Sequence, residues 1–202
     1  MTLTPDLAMR HRRALFRAGS APLFFPRVGI KIATMPIDPA RAALRQLAAT
    51  LAYRAAKVLR DAPPEFGQRN FGDATRQPVT IVAHMADLMT WGVSIANGGY
   101  AWQPAGSTDW PTEVERFFSG LAALDAAIAT DGEFPGSIDK LIQGPLADAL
   151  THVGQLAMLR GMAGMPVRPE SYARAVITPG RVGLDQEPPR AEFDGDASRA
   201  PS

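Results

Sequence analysis

The sequence predicts an all-α domain, a four-helix bundle with an irregular C-terminal tail. Three observations lead there. Apolar residues recur at helical spacing in four long segments, turn formers and prolines fall between those segments, and no stretch shows strand-like alternation. The chain has 202 residues, 46% hydrophobic and 20% charged. That is enough for one domain with a sizeable core plus tails.

Each helix has its own signals. Asp38 followed by Pro39 reads as N-cap and first helical residue. Leu44, Leu47, Leu51, Val58 and Leu59 then keep a helical period until Pro63 and Pro64 stop it. Residues 63–77 read as loop. The second helix begins near Pro78 and runs to Asn97, where Gly98 and Gly99 end it. Asp109 caps the third, which carries Phe117, Leu121, Leu124 and Ile128 on one stripe and runs to about Thr130. The fourth is expected in two pieces, a short turn from Ser137 to Gln143 and a longer helix restarted by Pro145 and ending near Met162.

The termini read differently. Residues 1–35 hold six basic side chains against the single Asp6, although the whole chain has a formal net charge of only +1. An Arg-rich N-terminus can be a targeting peptide, but the run APLFFPRVGIKIA is interrupted by Pro26, Arg27 and Lys31, too often for a signal core or a membrane span. Met35 opens a natural domain start, MPIDPARAAL. Residues 1–34 are therefore read as a disordered or mis-assigned leader, residues 35–167 as the bundle and 168–202 as a tail, ordered to about Gln186 and disordered beyond. The near-neutral balance gives no reason to expect a nucleic-acid or membrane partner, and a cytoplasmic location is expected. Cysteine is absent, which excludes disulfides, thiolate metal sites and a cysteine nucleophile.

Chemistry concentrates on two helices. At 100° per residue, His84 shares a stripe with Ile81, Leu88, Trp91 and Ile95. On the last helix Asp148, His152, Gln155 and Leu159 fall within a narrow arc, and Asp148 and His152, four apart, are neighbours. Two imidazoles and one carboxylate on faces that look buried suit three positions of a divalent ion, with others open to water or substrate. Gln155 is placed to orient a ligand. The competing reading is a core histidine with one hydrogen bond and an aspartate bonded to His152 or a helix end. Asp87, three residues after His84, could orient that imidazole, though a solvated position is the expectation. Trp91, Trp102 and Trp110 read as core or loop anchors. Tyr172 and Arg181, in the tail, are candidates to cover the mouth of the bundle, and His11 sits in the leader outside any site.

The segments VTIVAHMADLMTW and GPLADALTHVGQLAMLRGMAGMPV resemble the DinB-like (YfiT-type) superfamily of metal-dependent helical bundles, over about Ile37 to Val167. The tail SYARAVITPGRVGLDQ is in keeping. The resemblance is specific in the helix-two histidine and the T-H-V-G-Q run. It implies that His84 and His152 are metal ligands. The family's last helix usually supplies two histidines four apart, and here the first is Asp148; related thiol-dependent isomerases and transferases place a carboxylate there. The resemblance further implies a divalent ion (Zn, Ni, Mn or Fe), a small-molecule substrate and a metal-dependent transferase using a low-molecular-weight thiol, which a chain without cysteine must take from a cofactor. Metal-dependent hydrolysis would use the same site. The alternative is a non-catalytic helical-bundle interaction protein, a possible homodimer, with a structural or vestigial metal site.

Overall fold

The computed structural model describes residues 38–106 and 109–193. These belong to one compact unit, Met35–Ser202. The leader at 1–34, His11 within it, and the end of the tail from residue 194 lie outside the described residues.

Helix α1 spans Pro39–Leu59, and the Asp38 carboxylate caps it by accepting from the Arg41 amide at 3.1 Å. Its core face carries Leu44, Ala48, Leu51, Ala52, Ala55 and Val58, where small side chains admit close neighbours. Helix α2, Pro64–Gly67, lies in a stretch the sequence reads as loop. One turn is too short for a periodicity signal. It is held by tertiary contact, with Phe66 buried edge-on against Trp110 at 5.4 Å. Helix α3 is Pro78–Ala96 and helix α4 is Trp110–Ala129, capped by Asp109 accepting from the Thr112 amide at 3.2 Å.

The last long helix corrects one expectation. Helix α5, Ile138–Leu141, does not break before Pro145; it passes through a π-helical turn, Ile142–Leu146, directly into α6, Ala147–Met162. A proline inside an α-helix lacks an N–H and its ring strikes the carbonyl four residues back. The wider π turn takes in one extra residue and so accommodates Pro145 without ending the helix. It also rotates the face α6 presents by about 100° from the phase α5 would set.

The long helices close a ring in which α1 packs on α4 and α6, and α3 packs on the same two. Helices α3 and α4 approach closely through glycines. A Cβ added at Gly120 would lie 2.9 Å from the Met89 Cβ, and one at Gly92 would lie 3.0 Å from Leu124. By length and composition α3 could cross a membrane, but 67% of its most apolar window is covered by neighbours, as suits a central core helix.

Two buried arginines tie the ring. Arg41 donates to Ile128 O at 2.7 and 3.0 Å, to Gly132 O at 3.0 Å and to Thr130 O, which places a cation on the otherwise unpaired carbonyls ending α4. Arg160 reaches from α6 to Val58 O at 2.8 Å and Met165 O at 3.1 Å. The irregular tail lies on α1. Lys57 holds Glu170 at 2.7 Å and Glu192 at 2.6 Å, and the Tyr53 hydroxyl donates to Glu170 at 2.8 Å. Burial and the Glu170 carboxylate both push the Tyr53 hydroxyl pKa well up. Among the described residues the β content is one isolated bridge, Glu170 to Glu192.

Candidate metal centre

The adjacency of α3 and α6 brings the expected residues together. His84 Nε2 lies 3.3 Å from Asp148 Oδ2, and His152 Nε2 lies 3.3 Å from Asp148 Oδ1. The two imidazole rings are nearly perpendicular, 4.9 Å between centroids. One donor atom from each residue lies within 4.8 Å of the other two. The π turn ends one residue before Ala147 and two before Asp148, so the extra residue contributes to the phase that aims both α6 donors at α3.

Burial is graded across the trio. His152 is 7% exposed, whereas the Asp148 side chain is 45% exposed and that of His84 27%. The sequence places Asp148 on a buried face; the structure places it at the mouth. Its desolvation is correspondingly partial, and what constrains it is the company of two imidazoles. Gln155 Oε1 accepts from His152 Nδ1 at 2.8 Å, the orienting role the spacing suggests.

The donor set fits a divalent ion. Metal–nitrogen and metal–oxygen bonds of about 2.0–2.2 Å meeting near 90–109° put neighbouring donors roughly 3–3.5 Å apart. The two His–Asp separations of 3.3 Å already lie in that range. As charge-assisted hydrogen bonds they would be long, since such bonds settle near 2.7–2.9 Å.

His152 sharpens the point. A neutral imidazole has one N–H, and here it is used on Gln155. In that tautomer Nε2 turns its lone pair toward Asp148, where either a bound cation or a second proton on the ring satisfies both groups.

The surroundings are less legible in the sequence. Trp102, on the α3–α4 connection and 43% exposed, stands edge-on to His84 at 5.7 Å. Trp91 braces it at 5.8 Å and Tyr100 packs on Trp91 at 5.3 Å. Trp102 is therefore more than a loop anchor, while Trp110 is the core residue expected, at 4% exposure. No periodicity in that loop signals the contact.

Asp87 neither orients His84 nor faces solvent. It is buried, accepting from Arg116 Nη1 at 2.6 Å and from the Ala105 amide at 3.2 Å. Burial lowers the Arg116 pKa, but hydrogen bonds to Asp87 and Glu113 outweigh it and leave the guanidinium raised. Arg116 also donates to Ala83 O at 2.9 Å, on the residue before His84.

Tyr172 and Arg181 do not cover the mouth. Tyr172 packs on Tyr53 and Arg54 of α1, and Arg181 bonds Asp185 and Glu187 within the tail. His152 and Gln155 border a cleft of about 410 Å³ that Trp102 does not line.

No protein-family model, curated protein or solved structure matches the chain. The chemistry of the centre therefore follows from its own residues.

Proposed function

We propose that the chain binds a divalent metal ion through His84, Asp148 and His152 and uses it to activate a small-molecule thiol for transfer, as a member of the DinB-like superfamily. The observation that carries the metal is the convergence of one donor atom from each of the three residues within 4.8 Å, with both His–Asp separations at 3.3 Å. The transferase reading rests on the resemblance of the T-H-V-G-Q run and on the absence of cysteine, which makes any thiol an external one.

A divalent ion held there lowers the pKa of a coordinated thiol or water toward neutrality. The chain's residues have three further tasks in this reading. Asp148 offsets part of the ion's charge and hardens the donor set relative to a third histidine. Gln155 holds His152 in the metal-binding tautomer. Trp102 limits water on the His84 side. A cytoplasmic location, a small-molecule substrate and a homodimeric assembly belong to the same proposal.

The test is elemental analysis of protein purified without a metal-affinity tag, followed by melting with and without chelator. A bound ion at a hundred times its Kd stabilises by about 2.7 kcal/mol, so chelation should lower Tm by several degrees. Substoichiometric metal and an unchanged Tm would favour the alternative, a non-catalytic bundle in which Asp148 bonds the two imidazoles. Screening thiols against electrophiles with Zn, Ni, Mn or Fe then tests the transferase half.

A further inference from the structure

The cleft beside His152 is bounded by Ala74, Thr75 and Arg76 before α3, by Ile81 on α3, and by Gln155, Met158 and Leu159 on α6. At about 410 Å³ it falls in the size range of small-molecule sites. Its lining is divided. Ile81 and Leu159 are buried and apolar, and Met158 adds a large apolar side chain left 60% exposed. The lining has one formal charge, the Arg76 guanidinium, and no carboxylate.

Arg76 is also the unused cation of its loop. Arg69, in the same connection, donates to Ala163 O and lies over the Phe71 ring. Arg76 makes no hydrogen bond, ion pair or ring contact with the described residues. A guanidinium is a rigid planar fork that matches a carboxylate with two parallel N–H bonds. A flexible thioether is suited to hydrocarbon or aromatic groups of variable shape.

We infer that this cleft is the substrate-binding arm of the centre and that Arg76 is its anion anchor. The substrate class is then an amphipathic organic carboxylate. Its carboxylate pairs with Arg76, its apolar body lies on Ile81, Met158 and Leu159, and its reacting end faces His152. The inference rests on the metal reading only for which end reacts; the anchor stands or falls without it.

The test uses the full chain, metal-free, with ¹³C-labelled methionine methyls observed by NMR. The probes are 4-phenylbutyrate and its neutral counterpart 4-phenylbutanamide. Both should move the Met158 methyl through the ring current and leave the buried Met85 and Met89 in place. The acid should bind about fivefold tighter than the amide, the upper end for an exposed ion pair. R76Q should bring the acid to the amide's affinity, and R76K, which keeps the charge but loses the two-pronged fork, should retain only part of the difference. Equal binding of acid and amide, an unchanged titration in R76Q, or no response of Met158 overturns the inference. Zinc titration of the same protein reads the centre separately: failure to bind zinc removes the metal reading, and the acid–amide difference still decides for or against Arg76.

Discussion

Gln155 Oε1 accepts a hydrogen bond from His152 Nδ1 at 2.8 Å, and this fixes which nitrogen His152 turns toward Asp148. The two residues are three apart on α6, so the helix itself sets the pairing. Gln155→Leu should keep the fold, because Gln155 is exposed, and weaken metal affinity by about tenfold or more. Competition against a chelator of known affinity measures it, and an unchanged Kd would remove the orienting role.

Asp148 separates the metal reading from its rival. Asp148→Ala should weaken zinc by more than about a hundredfold, beyond the 10–100-fold range for losing a partner to a ligand. Asp148→His restores a third donor without the negative charge, so it should bind again and shift preference toward softer, nitrogen-favouring ions. If all three proteins bind zinc equally, Asp148 is not a ligand.

Arg116 is held between two buried carboxylates. Asp87 and Glu113 are 6% and 1% exposed, and Arg116 bonds both, at 2.6 and 2.7 Å. Arg116→Leu removes the guanidinium that both buried carboxylates face, and the expected loss is about 3 kcal/mol, the low end for breaking a buried ion pair because Asp87 keeps the Ala105 amide. Arg116→Leu combined with Asp87→Asn and Glu113→Gln should recover a large part of it. Urea denaturation of the series checks this; a single variant as stable as the parent would contradict the ion cluster's role.

Gly120 sets the approach of α4 to α3. Alanine there gains about 1 kcal/mol in helix propensity but puts a methyl 2.9 Å from the Met89 Cβ. Overpacking between helices costs about 1–3 kcal/mol, so the expected net effect runs from about zero to a loss of roughly 2 kcal/mol. Thermal melting decides, and a Gly120→Ala protein with raised Tm would show that the helix pair can separate freely.

The legible parts of the molecule share one property: they are local. Asp38–Pro39 and Asp109–Trp110–Pro111 mark helix starts because capping is satisfied within three residues, and both caps are made. The four long stripes are visible because burial repeats with the helix. Asp148, His152 and Gln155 group together because one helix carries them. Pro145 misleads for a matching reason. A proline signals a break, and the π turn that absorbs it depends on the packing of the helices around it.

The sequence by itself determined an all-α fold, the extents of α1, α3 and α4, the Asp38 and Asp109 caps, and three donor side chains on two stripes. Tertiary structure decided which stripes face each other, α3 to α6, and with what spacing. It placed Asp148 at the mouth, set Trp102 against His84, and turned Asp87 away toward Arg116. Those outcomes depend on contacts between residues from 18 to 64 positions apart in the chain. Such contacts are selected by the packing of the whole ring, and no local period carries them.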